Sequence, residues 1–183
     1  MPPVAAVYSQ TFAAFALVTG TDMKMWNASD GAHTRAMRDI CGCEISQMVV
    51  DKLQRKLIVG TVNGDVIVYN FLNCLEMKRT TPHRAPVSAI IYGHEDRVIV
   101  TASWDRSIYV HDDEDRDSCE MLRNVRMAHT QDITAMAFSH YLTLIVTGDI
   151  FGNIKLWDFQ FMTPEGEMHK GGFSLFLRTR PTC

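Results

Sequence analysis

The sequence predicts an all-β fold made of about four similar units, each a small antiparallel sheet. Four segments share one pattern, in which an apolar run meets a short turn and alternating apolar positions lead to an anchor side chain followed by Asn or Asp. The segments begin at Leu17, Leu57, Val98 and Leu144. The anchors are Trp26, Tyr69, His111 and Trp157. They follow one another at intervals of 42 to 46 residues, and a nearly constant period of this size is typical of repeat architectures.

Each repeated segment has the local chemistry of a β-hairpin. In the fourth, apolar side chains alternate with a lysine over 154–156, the period-two pattern of a strand with one buried face. The second and fourth segments contain Asn63-Gly64 and Phe151-Gly152, where glycine can adopt the positive φ that a tight turn needs. Asp105 supplies a turn-forming side chain in the third segment.

Further strands are predicted on both sides of the hairpins. Those before a hairpin are Ile45–Asp51, Val87–Tyr92 and Ile133–Ser139. Weaker ones after a hairpin lie around Thr34–Arg38, Glu76–Thr80 and Glu120–Val125. Four antiparallel strands per unit, repeated radially, make the blades of a β-propeller. The predicted blades span about 8–40, 44–80, 83–126 and 129–160, and 161–183 is predicted to be a loop with a terminal strand.

The hairpin that ends in Leu156-Trp157-Asp158, with His129 upstream, resembles the WD-repeat family. The resemblance covers about residues 10 to 160. More narrowly, the segment from Cys43 to Phe159 is similar to the large WD-repeat proteins that often carry EF-hands and include flagellar-associated members.

We expect the ring of blades to be incomplete or unclosed. Complete propellers close with 4–8 blades, whereas Met162–Gly172 reads as a loop and Met1–Ser9 is a poor complement for a final strand at Phe173–Leu177. Unpaired strand edges would favour self-association of the chain. The sequence therefore predicts a fragment of a longer propeller.

The resemblance implies a structural network inside each blade, formed by a His, a Ser or Thr, a turn Asp and a Trp. In the third blade the matching residues are His83, Thr101, Asp105 and His111, the last in place of Trp. In the fourth they are His129, Thr147 and Trp157. Phe151 stands where the fourth blade should have its Asp, and Cys41 stands where the second should have its His. Such side chains could also form a nucleophilic triad, but their repetition with the blades favours a structural role.

The resemblance also implies a partner-binding surface at the narrower end of the ring, here called the top face. Trp104 lies just before the turn Asp105, and an exposed Trp is a common interface hot spot; the alternative is that Trp104 packs against a neighbouring blade. Val62 and Ile150 match Trp104 in their own blades. The positions that flank the first apolar residue of each first strand reach the same face, namely Glu44, Ser46, Pro86, Ser88, Asp132 and Thr134.

Two other features each allow a functional interpretation and a structural one. The acidic run 111–117 could bind calcium through Asp113, Asp115 and Asp117, but Ser118 and Asn124 stand where an EF-hand loop needs Gly and Glu. We therefore predict a solvated loop. Cys41-Gly-Cys43 lacks the two-residue spacing of zinc or redox pairs, so we predict ordinary thiols.

The composition narrows the classes of function. The net charge of −3 over 183 residues provides no broad basic field for nucleic acid or anionic lipid. No apolar run approaches the roughly 20 residues that span a bilayer, and five cysteines without a framework spacing favour a reducing, cytoplasmic-type compartment.

The sequence thus predicts a non-catalytic scaffold that binds other proteins, without nucleic acid, membrane, cofactor or metal. We expect it in the cytoplasm, and in a cytoskeletal or ciliary complex if the narrower resemblance holds. The alternative is a propeller enzyme that binds a small molecule or metal. Convergent carboxylates or histidines around the channel would favour the enzyme, but the repeat positions that face the axis are apolar or small.

Overall fold

The computed structural model describes residues 3–93, 95–115, 117–160, 162–169 and 172–175. They form seventeen strands in four antiparallel sheets, three with four strands and one with five. The described residues contain no helix long and apolar enough to cross a membrane. The all-β fold of repeated antiparallel sheets predicted from the sequence is confirmed.

The strands follow one another from the inner to the outer edge of each sheet. Blade 1 consists of β1 (Ala5–Ser9), β2 (Ala14–Thr19), β3 (Asp22–Asn27) and β4 (His33–Met37). Blade 2 consists of β5 (Ile45–Val50), β6 (Lys56–Thr61), β7 (Val66–Asn70) and β8 (Glu76–Arg79).

The second half of the chain repeats this arrangement. Blade 3 consists of β9 (Val87–Gly93), β10 (Val98–Ser103), β11 (Ile108–Asp112) and β12 (Met121–Val125). Blade 4 consists of β13 (Ile133–Ser139), β14 (Leu144–Asp149), β15 (Ile154–Asp158), β16 (Pro164–His169) and β17 (Gly172–Leu175).

Apolar clusters between consecutive blades hold the sheets together. The inner strands pack in sequence, β1 on β5, β5 on β9 and β9 on β13. One cluster joins blades 1 and 2, a second joins blades 2 and 3, and a third joins blades 3 and 4. The central strands β6, β10 and β11 are buried on both faces because a blade lies on either side of them.

Two strands lie where the sequence predicted none. Ala5–Ser9 is the inner strand of blade 1, paired with β2, although the prediction treated Met1–Ser9 only as a poor closing segment. Pro164–His169 is the fourth strand of blade 4, so the prediction of a loop over Met162–Gly172 is wrong there. Outer strands are covered least, and their polar sequences lack the alternation that marks a half-buried strand. Gly172–Leu175 forms a strand as predicted, and Phe176 and Leu177 lie outside the described residues.

Self-association of the chain through open strand edges stays a prediction. Each of the four described blades contains at least four strands in hydrogen-bonded order. Within the part of the chain that the structure describes, one face of blade 1 and one face of blade 4 are not covered by another blade.

The predicted turn at Asn63-Gly64 depends on glycine for two reasons. Gly64 has a φ of 94°, which favours glycine. A Cβ at this position would also lie 2.4 Å from the carbonyl oxygen of His83, which is shorter than any stable contact. The close approach lets the His83 amide donate to the Gly64 carbonyl at 2.9 Å, which connects the two blades.

Candidate functional site

One backbone hydrogen bond, repeated in three blades, joins the two groups of residues predicted for the top face. In each case the residue after the second strand donates its amide to the residue that precedes the first strand. The pairs are Val62 to Glu44 at 3.0 Å, Trp104 to Pro86 at 3.1 Å and Ile150 to Asp132 at 3.1 Å. The fold therefore brings these six residues to the same end of their blades.

The largest apolar side chains at this end project into solvent. Trp104 is 49% exposed, Ile150 is 62% exposed and the adjacent Phe151 is 63% exposed. Glu44 is also exposed, whereas Val62 is partly buried. About half of the Trp104 side chain is therefore open to solvent, and blades 3 and 4 each expose large apolar side chains at this end.

The three hydroxyl groups predicted for the top face are engaged with the backbone. Ser46 donates to the Val87 carbonyl of the next blade at 2.6 Å. Ser88 and Thr134 donate to Ala102 and Gly148 of their own blades at 3.2 and 3.3 Å. These hydroxyl groups therefore support the geometry of the top face.

The network of blade 4 is a chain of hydrogen bonds from Trp to Asp. Trp157 Nε1 donates to Thr147 Oγ1 at 2.8 Å, and Thr147 Oγ1 lies 2.7 Å from His129 Nε2. His129 Nδ1 lies 3.2 Å from Asp149 Oδ2. Every bond is satisfied when His129 carries its proton on Nδ1 and Thr147 donates to Nε2. The chain fixes the second and third strands against the segment that enters the blade.

Asp149 is the carboxylate of the blade 4 network, although the sequence pattern did not predict it. Alignment of the hairpins places Phe151 at the position of Asp105, so blade 4 was predicted to lack its carboxylate. Asp149, at the end of β14, instead accepts from the Phe151 and Asn153 amides at 3.0 and 2.9 Å while reaching His129. Burial tends to raise the pKa of Asp149, but hydrogen bonds from Asn153, His129 and Phe151 hold it below its usual value. An Asp that begins a turn is the pattern that could have identified it.

Blade 3 contains the same bonds between His, Thr and Asp, but it has no Trp to donate to the Thr hydroxyl. His83 Nε2 lies 2.8 Å from Thr101 Oγ1, and His83 Nδ1 lies 3.2 Å from Asp105 Oδ2 and 2.9 Å from Ser107 Oγ. Burial opposes ionisation of Asp105, yet hydrogen bonds from His83, Ser107 and the Arg84 amide keep its pKa well below the usual range.

His111, which replaces Trp in blade 3, takes no part in this network. It is fully buried between blades 2 and 3, and neither of its ring nitrogens has a hydrogen-bond partner. Burial, and secondarily the charge of His83, lowers the pKa of His111 to about 4. The imidazole is therefore neutral at pH 7 and occupies an apolar site without polar compensation.

Blade 2 reaches the preceding segment by a different bond. Tyr69 occupies the anchor position, and its hydroxyl donates to the carbonyl oxygen of Ile40 at 2.9 Å. The backbone next to Cys41 thus takes the place of the missing histidine. Cys41 and Cys43 are free, as are Cys74 and Cys119, and Cys183 lies outside the described residues.

The acidic loop after β11 was predicted to be solvated, but one of its residues is buried. Asp113 is buried between two lysines of blade 2, with Lys56 Nζ at 2.8 Å and Lys78 Nζ at 2.9 Å. Tyr92 also donates its hydroxyl to Asp113 at 2.9 Å. The exposed residues of the loop fit the prediction, but Asp113 fastens blade 3 to blade 2. Across the described residues, no three His, Cys, Asp or Glu side chains are grouped as a metal site.

Comparison with known proteins agrees with this architecture. The profile described as "WD domain, G-beta repeat" matches residues 75–112 and 121–158. Cilia- and flagella-associated protein 337 B of Tetrahymena thermophila is 26% identical over 145 residues, which are 79% of this chain and 12% of that protein. The WD repeat-containing protein 55 homolog of Aedes aegypti is 33% identical over 113 residues, 61% of this chain and 23% of that protein. The chain thus spans less than a quarter of either relative.

Solved structures show the same fold at low sequence identity. The structure of RRP9 WD40 repeats superposes with a TM-score of 0.76 at 15% identity, over 88% of this chain and 49% of that one. U3-55K superposes with a TM-score of 0.75 at 16% identity, over 88% of this chain and 50% of that one. Identity at this level supports the fold alone. The WD-repeat profile matches and the WD-repeat relatives, on a chain with this fold, show that it belongs to the WD-repeat β-propeller family.

Proposed function

We propose that this chain is a non-catalytic scaffold that binds another protein on its top face, with Trp104 at the centre of the contact. The observation that carries the proposal is the exposure of Trp104 at the end of a rigid blade. Aromatic side chains that project from rigid elements supply large contact areas at a low entropic cost. Ile150 and Phe151 extend the apolar area, and Glu44 adds a charged rim.

The burial of the polar networks supports a non-catalytic role. The hydroxyl groups of Thr101 and Thr147 are fully buried, and the adjacent His83 and His129 are buried with them. A nucleophile must reach a substrate carbonyl or phosphoryl group, whereas each of these hydroxyl groups already bonds to other side chains of its own blade.

The experiment compares two aromatic substitutions at opposite ends of the blades. Trp104→Ala removes the proposed contact, and Tyr141→Ala removes an exposed aromatic from the β13–β14 turn at the other end. We expect proteins that are retained by the wild type and by Tyr141→Ala to be lost with Trp104→Ala. The purified partner should then bind Trp104→Ala at least 30-fold more weakly, the size of a hot-spot loss of about 2 kcal/mol.

Far-UV circular dichroism and the unfolding midpoint should not change in either variant. Equal binding by wild type and Trp104→Ala would contradict the proposed site. Unfolding of Trp104→Ala would show that Trp104 is a core residue.

We further propose that the partner belongs to a cytoskeletal or ciliary assembly and that the chain acts in the cytoplasm. The cilia- and flagella-associated relative supports this assignment. A tagged chain in ciliated cells should concentrate at the cilium or its base. A distribution without such enrichment would contradict the ciliary assignment but would leave the scaffold role open to the binding experiment.

A further inference from the structure

Two cysteines lie together in the turn between β4 and β5, at the top end of blade 2. The Cys41 Sγ lies 3.1 Å from the Cys43 carbonyl oxygen, and the Cys43 Sγ lies 3.6 Å from the Cys41 carbonyl oxygen. Gly42 between them has a φ of 72° and has open space around it. Each sulfur atom thus reaches the backbone of the other cysteine, which places both thiols in one turn.

Backbone hydrogen bonds hold both ends of this turn against neighbouring strands. The Ile40 amide donates to the Thr21 carbonyl at 3.2 Å, and the Ile45 amide donates to the Gly20 carbonyl at 3.0 Å. The Ile40 carbonyl also accepts from the Tyr69 hydroxyl at 2.9 Å. Because both ends are held, the two cysteines stay close together, and a high effective concentration of one thiol near the other favours reaction between them.

We propose that Cys41 and Cys43 form a reversible disulfide, which makes this turn a redox modification site beside the top face. Spacing along the chain predicted ordinary thiols, because it does not show that both sulfur atoms share one turn. A disulfide that closes so short a segment constrains the unfolded chain little and adds little stability. Weakly stabilising bridges are readily reduced. The dithiol is therefore the resting form, and the bridge forms when oxidised glutathione accumulates.

Oxidised glutathione is the oxidant for this step. The Cys43 thiolate attacks one sulfur of oxidised glutathione, which forms a mixed disulfide and releases one glutathione thiolate. Cys41 then gives its proton to solvent and attacks the Cys43 sulfur, which releases the second glutathione thiolate. The two cysteines lose two electrons and two protons, and oxidised glutathione gains them as two thiols.

Burial decides the order in which the two cysteines react. Burial above all raises the pKa of the Cys41 thiol to about 11; the backbone hydrogen bond to Cys43 opposes this rise, and the charge of the Cys43 thiol adds to it. The thiolate is the nucleophile in disulfide exchange, so Cys41 is a poor first attacker. Once Cys43 is in the mixed disulfide its sulfur carries no charge, and one cause of the raised pKa is removed. Cys41 is therefore the resolving thiol.

The modified turn leads directly into the proposed partner-binding surface. Glu44 follows Cys43, is exposed, and accepts the Val62 amide at its carbonyl oxygen at 3.0 Å. A bridge restrains the backbone that carries the Glu44 carboxylate, so the charged rim of the top face differs between the two redox forms. This consequence rests on the proposed function, whereas formation of the bridge is measured on the chain alone.

Peptide mapping in glutathione buffers measures the bridge. The folded wild type is equilibrated over a series of ratios of oxidised to reduced glutathione, quenched with acid and alkylated with N-ethylmaleimide. Trypsin cuts after Arg38 and Lys52, and the resulting peptide contains Cys41 and Cys43 as its only cysteines. We expect this peptide to change from a doubly alkylated form to an unalkylated form that has lost two hydrogen atoms. Dithiothreitol should reverse the change.

Cys74 and Cys119 are internal controls. Both are partly buried and free, and burial raises the pKa of both thiols. Neither has a second cysteine in its tryptic peptide, so each should remain alkylated or carry glutathione. Cys43→Ser should abolish the unalkylated form of the peptide, whereas Cys74→Ser, the matched variant, should leave its formation unchanged. Circular dichroism should show that both variants are folded.

Three outcomes would overturn the assignment of this redox site. The peptide could remain doubly alkylated at every glutathione ratio, or both of its cysteines could carry glutathione, which would show that Cys41 does not attack Cys43. A bridge that forms only in urea would show that the fold keeps the sulfur atoms apart. The Trp104→Ala binding experiment is run on the fully reduced chain, so its result is independent of all three.

Discussion

Trp157 donates its indole N–H to the hydroxyl oxygen of Thr147 at 2.8 Å, and this bond links the third strand of blade 4 to the second. The same hydroxyl reaches His129 on the other side at 2.7 Å. One small side chain thus satisfies two buried polar groups. A buried polar group that loses its hydrogen-bond partner costs free energy. Loss of the shared Thr147 hydroxyl should therefore destabilise the fold more than loss of a group that makes one bond.

Replacement of Thr147 by valine should destabilise the protein by about 2 kcal/mol or more, since it leaves both the Trp157 N–H and the His129 Nε2 without partners. The two side chains have nearly the same shape, so packing should change little. Urea unfolding at a fixed protein concentration measures the effect. Thr134→Val is the control, because this exposed hydroxyl makes only a 3.3 Å backbone bond, and its cost should stay within about 0.5 kcal/mol. Equal effects of the two substitutions would show that the network contributes no special stability.

Replacement of His111 by leucine should raise the free energy of unfolding by about 1 kcal/mol. It removes two buried nitrogens that lack partners and puts an apolar side chain of similar size between blades 2 and 3. His83→Leu is the comparison, and it should be destabilising because Thr101 and Asp105 would lose their bonds to the ring. A lower unfolding midpoint for His111→Leu would mean that the ring nitrogens are satisfied in solution.

His111 should also make stability depend on pH. Because burial holds its folded-state pKa near 4, below the unfolded value of about 6.5, the unfolded chain binds the proton more tightly. The contribution of His111 is therefore complete above pH 6.5 and is lost as the pH falls toward 4, up to about 3 kcal/mol. Unfolding curves at pH 7, 5.5 and 4.5 should show the advantage of His111→Leu over the wild type growing on acidification. A constant difference across this range would exclude the effect.

Replacement of Asp113 by asparagine should destabilise the protein by about 3 kcal/mol or more, because it leaves the charge of Lys78 buried without its carboxylate. The side chains of Asp113 and Lys78 are each 1% exposed, so solvent can compensate little. Asp117→Asn changes an exposed residue of the same loop and should cost less than about 0.5 kcal/mol. Thermal unfolding of both variants measures the difference. Matching midpoints would restore the interpretation of the whole loop as solvated.

Much of the fold could be predicted because it depends on local pattern. The period of the anchors and the strand alternation determine where Val87–Gly93 and Ile133–Ser139 lie, and both strands begin where the sequence predicted. Polar outer strands such as Pro164–His169 could not be predicted in the same way. Their position is decided by backbone pairing with β15, which does not depend on an apolar pattern.

The hydrogen-bond networks of blades 3 and 4 show which of their residues the sequence could predict and which it could not. His83, Thr101 and Asp105 were placed correctly in one network because their blade keeps the spacing of the family. Asp149 was missed because its carboxylate reaches His129 from a position two residues earlier in the turn. Reach of this kind depends on turn geometry, which spacing along the chain does not specify.

The sequence by itself determined the all-β class and the number of repeated sheets, since periodicity and turn chemistry are local properties. Only the tertiary structure decided that Asp113 is buried, because the lysines that surround it come from blade 2. Only the tertiary structure also decided that Phe15 is half exposed while its equivalents Leu57, Ile99 and Ile145 are buried. Those four residues hold the same place in their own sheets, and what separates them is whether a preceding blade covers the sheet.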